Sequence, residues 1–263
     1  MRSGRQVMVG ELCPRGAAGR PAVAPLLMRT TQWIDTTAEV TGAVERGVTP
    51  RFAAFGVDGK VAGVFDTVGL ADISLGQSVA SGTYVGGAPC SSDAGSAQRT
   101  DDPKCAAATG GCGLAVAEIA RPDDPPQTPT YHTGTACLAD GALGVDIDGD
   151  GALEWFPLAQ VLDGIRGPAQ EWLATQRAKQ TCAPAFALYD IALARDADAG
   201  KPADPKATVM LDLLGVIDLD GDGRNELVIA LRFPAPVRTV VVYSALRSPQ
   251  RLELVGEAQS FQK

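Results

Sequence analysis

Histidine is almost missing from this chain: His132 is the one histidine among 263 residues. A serine or cysteine nucleophile that needs a histidine base would have to use that residue. The sequence motifs that mark a hydrolase nucleophile, a phosphate-binding loop or a zinc protease are missing too. We therefore predict that the protein is not an enzyme. A secreted hydrolase of the glycoside or ester type is the alternative. Glycoside hydrolysis uses paired carboxylates, and the chain has 31 acidic residues.

Long apolar runs and an excess of basic residues are missing as well. A membrane-spanning helix needs about 20 consecutive apolar residues, whereas the longest apolar runs here, residues 227–231 and 237–243, have the length of strands. The formal net charge of -8 disfavours binding to nucleic acid or anionic lipid, because both are polyanions. We expect neither a nucleic-acid partner nor insertion into a membrane.

A signal peptide is not visible, because no apolar segment follows the basic residues at the start of the chain. The six cysteines form no Cys-X-X-Cys pair, which disfavours zinc and favours disulfides. Three of them, Cys90, Cys105 and Cys112, lie in a stretch of small and polar residues that disulfides would stabilise. We expect about two or three disulfides, with their pairing open, in a mature protein that is secreted, periplasmic or on the cell surface.

Short apolar segments separated by turn residues predict an all-β fold with mainly antiparallel strands. In residues 51–65, for example, two apolar runs flank the turn sequence Asp58-Gly59, which predicts a hairpin. One short helix is predicted near residues 168–179, because Pro168 stands at its start and basic residues stand at its end. For the ring of Trp155, on another predicted strand, we favour a core position over an exposed, sugar-stacking position.

The proline-rich segment 121–129 is the candidate domain boundary, because proline removes backbone donors and stiffens the chain. It separates a β-rich N-terminal part, residues 1–120, from a β-rich C-terminal part, residues 130–263. The cysteine-rich loop 86–112 belongs to the first part, and we expect it to face a partner. The two parts could also form one continuous domain, since both are rich in predicted strands.

Two acidic segments of nine residues in the C-terminal part share one pattern. Each has carboxylates at positions 1, 3, 5 and 9 and glycines at positions 4 and 6. Calcium binds about six to eight oxygen atoms, and glycine allows the sharp turn that brings them together. We therefore predict two calcium sites, in which position 7 contributes its backbone carbonyl. The predicted ligands are Asp146, Asp148, Asp150, Ala152 and Glu154 in the first loop, and Asp218, Asp220, Asp222, Arg224 and Glu226 in the second.

A helical EF-hand is excluded for both loops, because it requires a glutamate at position 12 and flanking helices. Position 12 is Pro157 or Ile229, and the flanking residues are typical of strands. An acidic hairpin turn without a metal is the other interpretation, since Asp-Gly is common turn sequence. Two matching copies argue against it, because clustered carboxylates repel one another. A third, decayed copy around Asp72 is left open, since its later carboxylates are missing.

The Asp-X-Asp-Gly-Asp-Gly-X-X-Glu loops and their flanking strands resemble the FG-GAP/VCBS-type repeats of integrin-α-like β-propellers and of many bacterial secreted proteins. The resemblance implies that calcium stiffens the connection between strands and that ligands bind elsewhere, on exposed loops. It also implies propeller-like or sandwich-like repeats. A complete propeller needs more blades than 263 residues can form. A partial propeller, a compact sandwich and an assembly of several chains therefore all stay open.

These features predict a non-catalytic, secreted or cell-surface, calcium-binding module. Its role would be structural support or the binding of a protein or glycan partner. Besides the hydrolase with structural calcium, a second alternative is a subunit of a larger extracellular assembly, because the number of repeats is small. An oligomer would fit that alternative.

Overall fold

The computed structural model describes residues 6–13, 22–34, 42, 50–56, 59–73, 77–86, 113–119, 131–139, 142–157, 181–183, 186–192, 208–232, 237–245 and 252–261. Most of these residues lie in strands, and the strands pair antiparallel, which confirms the predicted fold class. The strands are β1 (Val7–Cys13), β2 (Ala22–Arg29), β3 (Trp33–Ile34), β4 (Arg51–Phe55), β5 (Val61–Ile73), β6 (Gln77–Gly86), β7 (Gly113–Glu118), β8 (Ala136–Ala139), β9 (Ala142–Val145), β10 (Glu154–Pro157), β11 (Thr181–Ala183), β12 (Phe186–Ala192), β13 (Thr208–Ile217), β14 (Glu226–Arg232), β15 (Val237–Ala245) and β16 (Leu252–Phe261).

The chain divides into two compact units. The first contains residues 1–132 together with residues 218–223, and the second contains residues 133–217 and 224–263. The predicted helix near residues 168–179, the proline-rich segment 121–129 and residues 87–112 of the cysteine-rich loop lie outside the described residues. In the described part of the chain, no helix has the length and apolar character that a membrane crossing requires.

The first unit contains a seven-stranded sheet in the order β1-β7-β4-β5-β6-β2-β3, and β1 also pairs with β2. Alternate side chains of these strands form one buried cluster, which includes Met8, Leu12, Phe52 and Phe65. The rings of Phe52 and Phe65 lie 6.5 Å apart between their centroids. Burial of one such ring stabilises the fold by about 1.5–3 kcal/mol. The apolar residues that alternate along these strands therefore form the core beside this sheet.

The predicted hairpin at Asp58-Gly59 is present as the β4–β5 connection. Phe55 pairs with Val61, and Gly59 has a φ of 73°, as a tight turn requires. The hairpin between β5 and β6 leaves no room for a third acidic loop. Asp72 lies inside β5 and pairs with Ser78 of β6, and only three residues separate the last paired residues, Ile73 and Gln77.

The second unit contains two sheets. Strands β12 to β16 form a five-stranded meander in chain order, and a four-stranded sheet has the order β10-β9-β8-β11. Residues 227–231 of β14 are all buried, on both faces of the strand, which explains why this stretch is a continuous apolar run and not an alternating one. Each of the two sheets supplies one hairpin that carries an acidic loop.

A disulfide joins Cys137 of β8 to Cys182 of β11, and the two residues lie directly opposite each other in the sheet. It closes a chain segment of 45 residues, and cross-linking a loop of that length stabilises a fold by about 4 kcal/mol in the chain-entropy description. Disulfide formation was expected from the cysteine content. The other four cysteines lie outside the residues whose side chains are described.

Candidate metal centre

Each acidic loop connects the two strands of a hairpin, and the two hairpins close in the same register. In the first, Val145 at the end of β9 pairs with Glu154 at the start of β10. In the second, Ile217 at the end of β13 pairs with Glu226 at the start of β14. Each loop therefore places position 9 opposite the residue that precedes position 1. The sequence repeat is also a structural repeat.

Glycines give both loops the same backbone conformation. Gly149 and Gly221, at position 4, both have a φ of 73°, and Gly151 and Gly223, at position 6, have φ values of 87° and 90°. Residues with a Cβ rarely adopt these angles. A Cβ at Gly223 would meet no other atom within 4 Å, so the backbone angle and not the available space requires glycine here.

The loop conformation brings the three aspartates of each loop together. Ligand oxygens of Asp146, Asp148 and Asp150 lie within 4.8 Å of one another, and the same holds for Asp218, Asp220 and Asp222. Position 1 holds the loop closed in both copies. Gly151 N–H donates to Asp146 Oδ1 at 3.4 Å, and in the second copy the equivalent residue, Gly223, donates to Asp218 Oδ2 at 3.2 Å.

The aspartates at position 3 also play the same part in the two loops. Asp148 Oδ1 accepts the N–H of Asp150 at 3.4 Å, and Asp220 Oδ1 accepts the N–H of Asp222 at 3.0 Å. These short-range bonds restrict the orientation of the two carboxylates within their loops. The first triplet is the more open one, because Asp148 and Asp150 are exposed whereas Asp218 is buried.

The glutamates at position 9 lie at the base of the loops and take part in hydrogen bonds there. Glu154 Oε2 accepts the N–H of Ile147 at 3.0 Å, and Glu226 Oε1 accepts the hydroxyl of Ser244 at 3.4 Å. The structure thus brings the predicted aspartates together in each loop. Their participation as ligands, with that of Ala152, Arg224 and the two glutamates, stays a prediction.

The donor set fits a hard cation. Each triplet offers carboxylate oxygens alone, without nitrogen or sulfur, and hard divalent cations prefer oxygen. Three carboxylates this close repel one another, and a bound cation would offset that repulsion. Both triplets can therefore hold a metal ion.

Arg29 is a site residue that the sequence does not reveal. Its Nη2 lies 2.9 Å from Asp220 Oδ2, and both side chains are mostly buried. Burial raises the pKa of the Asp220 carboxyl above its ordinary value; the Arg29 guanidinium opposes this rise, and the carboxylates of Asp222 and Asp218 add to it. Arg29 therefore offsets part of the negative charge in the second loop. No local pattern links it to Asp220, since it lies on β2, far upstream in the chain.

His132, the one histidine, supports the second loop through its main chain. Its carbonyl accepts the N–H of Asp218 at 3.0 Å, and its side chain is exposed. Three residues later, the carbonyl of Thr135 accepts the N–H of Asp146 at 3.0 Å. Position 1 of each loop is thus anchored by a backbone hydrogen bond.

Trp155 was expected in the core, and this expectation is wrong. Its side chain is 48% exposed, whereas the next residue, Phe156, is fully buried. Alternation along β10 turns Phe156 inward and Trp155 outward. The indole lies flat on Gly144 of the neighbouring strand, where a Cβ would come within 2.9 Å of Cε2. One face of the ring is covered by the sheet.

Comparison of this chain with protein-family models, curated proteins and solved structures finds no match.

Proposed function

We propose that this protein is a non-catalytic β-module that is stabilised by two calcium ions and acts outside the cytoplasm. The observation that carries the proposal is the repeated loop geometry: two hairpins of equal register, each with three aspartates within 4.8 Å of one another. Calcium suits such loops better than magnesium does. It accepts flexible coordination by carboxylate and carbonyl oxygens, whereas magnesium demands near-octahedral geometry and keeps several waters.

In this proposal, calcium stiffens the connections at β9–β10 and β13–β14, and the disulfide between Cys137 and Cys182 serves the same purpose in the sheet that carries the first loop. A disulfide is consistent with an extracellular location, where oxidising conditions preserve it. The resemblance of the loops to FG-GAP/VCBS-type repeats supports the same role, in which the metal supports the scaffold and other surfaces bind the partner.

Trp155 favours a glycan over other partners for this module. Its ring is held flat on the sheet by Gly144 and is 48% exposed. The apolar face of a sugar ring can stack on such an indole, because both surfaces are flat and the stacking releases water. The residue directly follows Glu154 of the first loop, so calcium binding would also order the strand that carries the indole.

The proposal is tested by thermal unfolding of the full chain in calcium and in excess chelator. A ligand that binds the folded state alone, at about 100 times its dissociation constant, adds about 2.7 kcal/mol per site to the free energy of unfolding. We expect calcium to raise the melting temperature and the chelator to reverse the rise. The control is the variant D148N/D150N/D220N/D222N, which should not respond. A wild-type melting temperature that is indifferent to chelator would overturn the proposal.

A further inference from the structure

Asn225 connects the hairpin of the second loop to the first loop. It occupies position 8 of the second loop and is buried. Its side-chain Nδ2 donates to the carbonyl of Asp146 at 2.8 Å, and its backbone N–H donates to the carbonyl of Ile147 at 2.6 Å. Both acceptors belong to the first loop, at positions 1 and 2. One residue of the β13–β14 hairpin therefore binds two consecutive peptide groups of the β9–β10 loop.

The backbone at positions 1 and 2 of the first loop also contacts Glu154, a predicted ligand of that loop. The N–H of Ile147 donates to Glu154 Oε2 at 3.0 Å, while the carbonyls of Asp146 and Ile147 accept from Asn225. Positions 1 and 9 of the first loop are thus linked through the backbone that Asn225 binds. A displacement of Asn225 would shift the main chain of Asp146 and the partner of Glu154 together.

Gly134 allows this close approach. A Cβ at residue 134 would lie 2.6 Å from Asn225 Nδ2 and 2.7 Å from the carbonyl oxygen of Asp146. Any residue with a side chain would therefore separate the two atoms that form the hydrogen bond. The N–H of Gly134 donates to the carbonyl of Val216 at 2.9 Å, which fixes this residue to the end of β13.

We propose that Asn225 couples the two loops, so that they bind calcium with positive cooperativity; this rests on the proposed function. Asn225 stands between Arg224 and Glu226, two predicted ligands of the second loop, and its side chain holds Asp146, a predicted ligand of the first. Ordering of one ligand set by calcium orders part of the other set, and the second binding event then costs less conformational entropy.

The side-chain part of this link comes from the second hairpin alone, because the equivalent position of the first loop is different. Position 8 there is Leu153, whose side chain has no hydrogen-bonding group. Leu153 therefore supplies a matched control for Asn225. A variant at either position leaves all predicted ligand side chains intact.

The test measures calcium binding to the full, metal-stripped chain by titration calorimetry. The variant D220N/D222N disables the second loop, and D148N/D150N disables the first. We expect the first loop to bind calcium at least about fivefold more weakly when the second is disabled, and the reciprocal loss to have the same factor, as linkage requires. Equal affinities in wild type and loop-disabled variants would overturn the coupling.

The role of Asn225 is tested in N225A, with L153A as the control. N225A keeps the backbone N–H that donates to the carbonyl of Ile147 and loses the side-chain bond to Asp146. We expect the coupling factor of N225A to fall well below that of the wild type, while L153A keeps the wild-type coupling. If Asn225 only supported the fold, N225A would lower the melting temperature and leave the coupling factor unchanged, which would contradict the proposal. N225S, which keeps a small polar side chain, replaces N225A if the latter does not fold.

These outcomes separate the two proposals. Two calcium ions that bind independently in the wild type would overturn the coupling and leave the proposed function standing. No binding of calcium at millimolar concentration would overturn both.

Discussion

Arg29 Nη2 on β2 lies 2.9 Å from Asp220 Oδ2 in the second acidic loop, and both side chains are mostly buried. The other oxygen of this carboxylate accepts the N–H of Asp222 at 3.0 Å. Asp220 is therefore held by a cation and by its own loop at the same time. The guanidinium offsets part of the repulsion among the three carboxylates, and it would compete with a bound metal ion for Asp220 Oδ2.

Removal of this guanidinium should affect stability and calcium binding in opposite directions. We expect R29A in chelator to lose about 1–3 kcal/mol of the free energy of unfolding, because the partly buried carboxylate loses its charged partner. The same variant should bind calcium more tightly at the second loop. Urea denaturation and calcium titration measure the two effects. R29K is the control, since it keeps the charge without the planar geometry of arginine. Weaker calcium binding in R29A would contradict the competition.

The left-handed backbone at Gly223 should make this position intolerant of alanine. We expect G223A to lose about 1–2 kcal/mol, because a Cβ disfavours a φ of 90°. G223N should lose less, since asparagine adopts such angles more readily than alanine does. A Cβ at this position meets no atom within 4 Å, so a clash at Cβ does not contribute to the loss in either variant. Chemical denaturation in chelator measures both, and equal stability of G223A and wild type would contradict the assigned loop conformation.

Two neighbouring aromatic residues of β10 should respond differently to truncation. We expect F156A to lose about 3–5 kcal/mol, because the buried ring leaves a cavity. W155A should lose about 1 kcal/mol or less, because its ring is 48% exposed. Under the proposed function, W155A should also weaken glycan binding without changing calcium binding. Urea denaturation and a glycan-array comparison with wild type measure these effects. A loss of stability in W155A as large as in F156A would contradict the exposed position of Trp155.

The acidic loops were predicted from sequence because their structure is local. Asp-Gly pairs favour left-handed glycines, and the aspartates at positions 1 and 3 bind backbone N–H groups within their own loop. The hairpin at Asp58-Gly59 was predicted for the same reason. Asp72, in contrast, follows the same starting pattern without the later glycines and carboxylates, and the chain there continues as strand β5.

Contacts between distant residues could not be predicted, because no periodic pattern connects their positions. The ion pair between Arg29 and Asp220 forms only in the folded chain. The same holds for the hydrogen bond from Asn225 to the carbonyl of Asp146, which lies in another hairpin. The partner of Cys137 is likewise decided by which strand lies beside β8 in the sheet. Many pairings are compatible with the same alternation of apolar residues, and burial of the whole sheet selects among them.

The amino-acid sequence alone determined that the fold is antiparallel β and that two loops of the same acidic pattern gather carboxylates, since strand periodicity and Asp-Gly turns act over a few residues. The tertiary structure alone decided the order of the strands, the outward position of Trp155 and the residues that brace the loops. These features depend on which surfaces are buried together, and the free energy of burial belongs to the folded chain as a whole.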